Sequence, residues 1–336
     1  MEPLRIGVLG AARISDRAIV EPAHLTGHRL VAVAARDRSR AEKFAGDHQV
    51  ERVLDSYQAV IDDPEVEAIY NPLPNGLHGP WNIRALAAGK HVLSEKPSAS
   101  NADEARAVRD AAASSTGRFM EAFHYRYHPV MNRMLELAAS GELGELQHID
   151  VHMSFPLTKP DDPRWNFELA GGAVMDVGCY AIHGLRTLGG VGGGEPSVIS
   201  ATAIEREDTP GVDATMEADL VYPSGLSAHF VSSFTVPEMD FTMRITGSEG
   251  EAFAHNFCLG GIDDRITVTA AGKTRVEEMG KKSSYTYQLE AFADHVRNGA
   301  PIFNDAEDAL IQAEFIDSVY RAAGLPTRPA SNISDA

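Results

Sequence analysis

Over residues 1–125 the polarity of the chain keeps one rhythm. Short apolar runs at 5–9, 30–35, 68–71, 91–94 and 118–122 alternate with helix-like stretches at 14–24, 39–48, 77–88 and 101–115. Strands alternating with helices of this size imply βαβ units and a doubly wound parallel sheet, whose ligands sit at the carboxyl ends of the strands. After a helix at 129–140 the texture changes to longer strands joined by turns, at 145–155, 197–206, 213–222, 226–236, 240–247, 252–255 and 265–269. The alternation Ala214-Thr215-Met216-Glu217-Ala218-Asp219-Leu220 suits an antiparallel sheet with one wet face. Helices at 287–298 and 306–323 close the chain, and the polar tail after Pro326 is expected to fray. The pattern therefore predicts a doubly wound α/β domain over 1–125 and an α+β domain with an antiparallel sheet over 126–336.

Composition narrows the chemistry. The 336 residues are enough for about two domains with cores of their own. Forty-eight acidic against thirty basic side chains leave a net charge of −18, a balance that repels nucleic acid and anionic membranes. Arginines that gather in so acidic a chain therefore stand out. No apolar stretch approaches the roughly 20 residues that span a bilayer. The chain also runs from Met1 straight into the run at 4–9, with no signal-like leader. Cys179 and Cys258 are too few for a disulfide framework or a zinc site. A soluble, cytoplasmic protein without a metal is expected.

Gly10-Ala11-Ala12-Arg13-Ile14-Ser15 joins the first strand to the first helix. Against the nucleotide fingerprint G-x-G-x-x-G, the glycine positions are Gly10, Ala12 and Ser15: a tight turn, a small residue beneath a pyrophosphate, and close helix–strand packing. A plain strand–helix turn is the alternative. At the end of the second strand stand Arg36, Ser39 and Arg40, where an acid would take a ribose 2′-hydroxyl and arginine a 2′-phosphate. NADP is therefore expected over NAD, while Asp37 either pairs locally at the helix start or reaches the ribose. The loop Asn71-Pro72-Leu73-Pro74-Asn75-Gly76-Leu77-His78 is stiff, and Asn75 serves there as an N-cap or as a dinucleotide contact.

His91-Val92-Leu93 runs into Glu95-Lys96-Pro97 where a buried strand gives out. Pro97 biases Lys96 away from the helical region, so the chain is expected to turn there and offer its ammonium to the ligand cleft. Glu95 either braces that loop or lies beside the nicotinamide. In the second half, Gly171-Gly172-Ala173-Val174-Met175-Asp176-Val177-Gly178-Cys179-Tyr180-Ala181-Ile182-His183 stands out. On a helix, Asp176, Tyr180 and His183 fall at i, i+4 and i+7, either as a wet stripe or as the polar side of a buried site. Tyrosine is a poor base at its ordinary pKa near 10. A lysine ammonium and an oxidised nicotinamide nearby would favour the phenolate. His148, Asp150 and His152 share one strand face without a convergent third ligand, which reads as a wet face rather than a metal site.

Ala-Ala-Arg-Asp, Leu-Pro-Asn-x-x-His, Glu-Lys-Pro and Gly-Gly-x-x-x-Asp-x-Gly-x-Tyr occur here in one order, and over essentially the whole chain the sequence resembles the glucose–fructose oxidoreductase/inositol dehydrogenase (Gfo/Idh/MocA) family. Within it the likeness is to dimeric dihydrodiol dehydrogenases, NADP-dependent xylose dehydrogenases and deoxysugar ketoreductases. The resemblance implies an N-terminal Rossmann domain and a C-terminal domain whose large, mostly antiparallel, open sheet pairs copies into a homodimer or homotetramer. It implies Lys96 as active-site lysine, Tyr180 as general acid/base and Asp176 as a substrate-orienting group. It also implies dinucleotide contacts at Gly10, Ala11, Ala12, Arg13, Ile14, Arg36, Ser39, Arg40, Leu73, Pro74, Asn75, His78, Glu95, Lys96 and Arg126. His124, in the segment 121–126 expected to line the cleft, Trp165 expected to cap it, and His183 are weaker substrate candidates. Ala12 and Ser15 depart from the glycine pattern.

The favoured reading is hydride transfer between NADP(H) and a secondary alcohol of a sugar, polyol or related small molecule. One alternative is a family member that holds NAD tightly and oxidises transiently to drive elimination. Another is a non-catalytic sugar or nucleotide sensor on the same fold.

Overall fold

Segments apolar on both faces build a parallel sheet. In the computed structural model, which describes residues 2–330, β1 (Arg5–Leu9) leads through a π-helical turn (Asp16–Val20) into α1 (Glu21–Thr26). Then follow β2 (Arg29–Ala34), α2 (Arg38–His48), β3 (Arg52–Val53), α3 (Tyr57–Asp62), β4 (Ala68–Asn71) and a 3₁₀ turn (Asn75–Leu77). α4 (His78–Ala87), β5 (His91–Ser94), α5 (Ala102–Ser114) and β6 (Phe119–Glu121) complete this part. The strands lie in the order β3-β2-β1-β4-β5-β6, all parallel. The order reverses between β1 and β4, and the crevice beyond their carboxyl ends is where doubly wound sheets take their ligands.

The second sheet is built from α6 (Pro129–Ala139), β7 (Leu146–Ser154), a π-helical turn (Val174–Gly178), α7 (Cys179–Thr187), α8 (Gly189–Gly192) and a run of antiparallel strands. These are β8 (Ser197–Arg206), β9 (Thr209–Val221), β10 (Ser227–Ser233), β11 (Met243–Gly247), β12 (Gly250–Ala254), β13 (Arg265–Ala270) and β14 (Lys273–Glu278). The order is β14-β13-β12-β11-β7-β10-β9-β8, antiparallel except where β10 runs parallel to β7. Along β7, Ile149, Val151 and Met153 are buried while His148, Asp150 and His152 are half-exposed, so α7 packs over the apolar face. The chain closes with α9 (Ser284–Asn298) and α10 (Ala306–Ala322).

Two compact units result, one formed by 2–123 with 285–313, the other by His124–Ser284 with Glu314–Arg328. The sequence reading places both closing helices in the second domain. Most of α9 and the start of α10 instead join the first, because Ala309 enters the core around Leu9, Val31 and Ile69, and Leu310 and Ala313 pack with Ala99 and Ala105. The tail expected to fray after Pro326 is corrected in part: Arg328 is buried, while the expectation for residues 331–336 lies outside the described residues.

Candidate active site

Gly10 closes β1 at φ +95°, a conformation that L side chains rarely adopt, and a Cβ there would press on Leu73 at 3.1 Å. Ala11, Ala12 and Ile14 are half-buried, Arg13 is exposed, and the buried Ser15 hydroxyl has no hydrogen-bond partner among the described residues. Arg36, past the end of β2, makes no ion pair with any described residue, and Arg40 reaches back to donate to the Ala11 carbonyl at 3.0 Å. Asp37 caps α2, accepting from the Ser39 N–H at 2.9 Å and its hydroxyl at 2.7 Å. The Ser39 hydroxyl also holds the Asp37 carboxyl below its ordinary pKa. Of its two readings, local pairing is the one Asp37 adopts. A positive-φ glycine, an unsatisfied hydroxyl in the first helical turn, Arg40 on the Ala11 carbonyl and Arg36 past the end of β2 fit a dinucleotide with a 2′-phosphate.

Lys96 is buried beyond the end of β5, and the main chain on either side of it is braced. Tyr70 donates its hydroxyl to Glu95 Oε1 at 2.8 Å, so Glu95 serves at least as a brace. Asn82 of α4 donates to Ser94 Oγ at 2.8 Å and to the Ser98 carbonyl at 3.1 Å, and accepts from Asn71 at 2.9 Å. The Ser98 N–H donates to Glu121 at 2.6 Å. His78 sets Nδ1 2.7 Å from the Pro97 carbonyl and Nε2 2.6 Å from the Leu73 carbonyl. Burial, against those two carbonyls, pulls the imidazole down to about 4, so the ring is neutral near pH 7. The neutral ring has one N–H and donates it to one of these two carbonyls; wedged between the loop after β4 and the lysine loop, His78 is committed to the main chain rather than to a cofactor. Asn75 is no cap either: it opens the 3₁₀ turn, and Leu77 precedes α4 with no side-chain cap. Pro74 is half-buried in the same loop.

In the second unit the paired glycines are explained by close approach. The Gly172 N–H donates to the Arg164 carbonyl at 2.9 Å, and a Cβ on Gly171 would meet the Asn166 carbonyl at 2.8 Å. The turn places Asp176 so that its Oδ2 accepts from Arg164 Nε at 2.6 Å. Tyr180 lies in α7, its ring 5.5 Å from that of His124 and 6.0 Å from that of Tyr125. The Tyr125 hydroxyl sits 2.7 Å from His183 Nδ1, and His124 Nδ1 sits 2.8 Å from the Ser284 hydroxyl. Asp176, Tyr180 and His183 are all buried, so they are not a wet stripe. The π-helical turn makes the step from Asp176 to Tyr180 differ from one α-turn, a feature frequent at functional sites.

One expected contact is placed differently. Trp165 packs its ring 5.1 Å from Phe234 beneath the Arg206 guanidinium, and its indole N–H donates to the Lys159 carbonyl, so it works as packing rather than as a cap. Arg126 is buried and donates to Asn132 at 3.0 Å. Arg164 and Asn82 were not singled out by sequence, and Tyr125 only as part of the segment 121–126. Arg164 had the clearest signal, a charged residue inside an Asp-Pro-x-Trp turn capped by Asp162. His148, Asp150 and His152 are engaged with Ser227, with each other and with Asp240, and no metal-binding group of three is found among the described residues.

The sequence pattern of the oxidoreductase family with an NAD-binding Rossmann fold matches residues 4–123, and that of the GFO/IDH/MocA C-terminal domain matches 131–253. A D-xylose 1-dehydrogenase (NADP(+)) from Haloferax volcanii is 36% identical over 325 residues, 95% of this chain and 97% of that protein. A trans-1,2-dihydrobenzene-1,2-diol dehydrogenase from Bos taurus is 33% identical over 333 residues, 96% of this chain and 97% of the other. The crystal structure of a 3-ketoreductase from Actinomadura kijaniata in complex with NADP and TDP-benzene superposes with a TM-score of 0.87 at 25% identity, covering 96% of this chain and 98% of the other.

Proposed function

The chain belongs to the Gfo/Idh/MocA family and is an oxidoreductase of CH–OH groups with an NAD(P)-binding Rossmann domain, and from that premise we propose that it moves a hydride between NADP(H) and a secondary alcohol or carbonyl of a sugar, polyol or dihydrodiol. Bound NADP supplies the hydride acceptor or donor. Residues 10–14 hold the pyrophosphate, and Arg36 and Arg40 take the 2′-phosphate, with Ser39 committed to the Asp37 cap beside them. Leu73, Pro74 and Asn75 border the dinucleotide from the loop after β4. Tyr180 accepts the hydroxyl proton in the oxidative direction and returns it to the carbonyl oxygen in the reductive one. Lys96 favours the ionised phenol by its charge, and Asp176 orients the substrate hydroxyl.

The observation that carries this reading is the Arg164–Asp176 pair just before Tyr180, with Asp176 and Tyr180 both buried on one short stretch. A carboxylate fixed by a permanent cation presents its acceptor in one orientation, and a phenol among aromatic rings can exchange a proton with a hydroxyl held there. His124 and His183 lie against Tyr180 and Tyr125 and complete the polar wall. The face of the eight-stranded sheet away from α7 is the surface on which copies of the chain pair. No described helix is long and apolar enough to cross a membrane. A panel of aldoses, ketoses, polyols and dihydrodiols, assayed with NADP⁺ and NAD⁺ in parallel by absorbance of the reduced cofactor, tests the reading. Turnover with NADP⁺ on at least one member supports it, and none on any overturns it.

A further inference from the structure

Beneath the Gly171-Gly172 turn lies an ion pair that the reaction does not touch. Arg328, in the segment after α10, and Asp213, on β9, are both fully buried, and Arg328 Nη2 lies 2.6 Å from Asp213 Oδ1. The same guanidinium donates through Nε to the Gly171 carbonyl at 2.6 Å and through Nη1 to the Pro326 carbonyl at 3.1 Å. It is stacked 4.0 Å over the Tyr320 ring and 5.2 Å from that of Phe167. Asp213 accepts in addition from the Tyr320 hydroxyl at 3.0 Å and, through Oδ2, from the Val174 N–H at 2.7 Å. Val174 is the first residue of the π-helical turn that carries Asp176.

The bracket thus grips both ends of the turn, Gly171 through Arg328 and Val174 through Asp213. Gly172 fits between them only as glycine: its φ is +126°, and an added Cβ would run into Asp213 Oδ1 and Arg328 Nη2. A buried ion pair contributes little net stability compared with apolar residues of similar size. Its use here is geometric, since a planar guanidinium with donors in a fixed fork holds a carboxylate and a carbonyl at once. We propose that Asp213 and Arg328 are positioning residues: the tail of the chain reaches back and sets the Gly-Gly turn, and through it Asp176 and Tyr180. This inference rests on the oxidoreductase reading above for the part Asp176 and Tyr180 play.

The test uses the full chain with Cys258→Ser, so that the buried Cys179, which lies between Asp176 and Tyr180, is the single thiol. Two readouts are taken on Arg328→Leu and Arg328→Lys: labelling of Cys179 by a thiol reagent, and kcat and KM with NADP⁺ and the substrate that the panel above identifies. Arg328→Leu is expected to label at least about tenfold faster and to lose about 10- to 100-fold in kcat, with KM for NADP⁺ within about twofold. Arg328→Lys keeps the charge opposite Asp213 but loses the fork, so it is expected to fall between Leu and the parent on both readouts. If the leucine variant does not fold, the lysine variant decides: parent-like labelling and kcat overturn the proposal. Faster labelling with unchanged kcat also overturns it, since the bracket would then be structural only. A parent enzyme that turns over no substrate refutes the oxidoreductase reading instead, and the labelling rate still shows whether the bracket holds the helix.

Discussion

Arg164 holds Asp176 by its side chain and the turn before it by its backbone. Nε donates to Asp176 Oδ2 at 2.6 Å, and the Arg164 carbonyl accepts the Gly172 N–H at 2.9 Å. Arg164 also reaches Asp162 at 3.3 Å, so its charge is balanced by two carboxylates rather than left for an anionic substrate.

Arg164→Gln leaves the buried Asp176 carboxylate without its fixed cation. The expected outcome is a loss of about 10- to 100-fold in kcat, the cost of misplacing an orienting group by about an ångström. The NADP⁺ KM is expected to stay within about twofold, because the residues proposed to hold the dinucleotide lie in the other unit. Steady-state kinetics with both substrates varied would read both.

On the proposed reading Arg36 takes the 2′-phosphate and so sets cofactor choice. Arg36→Asp removes a charge-assisted contact worth about 1.5–3 kcal/mol, so KM for NADP⁺ should rise about 10- to 100-fold while NAD⁺ changes by less than about threefold. Parallel titrations with the two cofactors check this. Equal effects on both would mean that the arginine serves the adenosine or the fold, not the 2′-phosphate.

His78 makes stability depend on acid. Its folded pKa is about 4 against an ordinary 6.5, because burial penalises the imidazolium. Between those values the unfolded chain binds more protons than the folded one, so the stability His78 confers is present above pH 6.5 and is lost as pH falls toward 4. The full difference is about 3 kcal/mol. Melting of wild type and His78→Gln at pH 7.5 and 4.5 should show the gap between them narrowing at the lower pH. A gap that does not change with pH would contradict the assignment.

The parallel sheet was legible because its strands are buried on both faces and read as apolar runs against helical neighbours. The two-residue β3 and six-residue α3 are too short to carry a period, and β14, Lys-Thr-Arg-Val-Glu-Glu, is an exposed edge strand with no apolar side to find. The candidate site could be read where chemistry is local: Gly10, Lys96, Asp176 and Tyr180, the proposed residues, sit in compact motifs. Its supports were not. Asn82 braces Ser94 from 12 residues away, and Arg328 reaches Gly171 across 157, distances at which one sequence holds no signal of contact. The expected cap at Asn75 failed for a local reason, since a 3₁₀ turn intervenes before α4 begins.

The central claim is that Tyr180 exchanges the proton of an NADP(H)-dependent oxidation. Its most direct test is Tyr180→Phe, with Lys96→Ala beside it, followed by kcat across pH and by NADPH titration in the absence of substrate. We predict a loss of about 10²- to 10⁴-fold in kcat for the phenylalanine variant, with NADPH affinity kept within about twofold. A Tyr180→Phe enzyme that turns over at the wild-type rate would contradict the account.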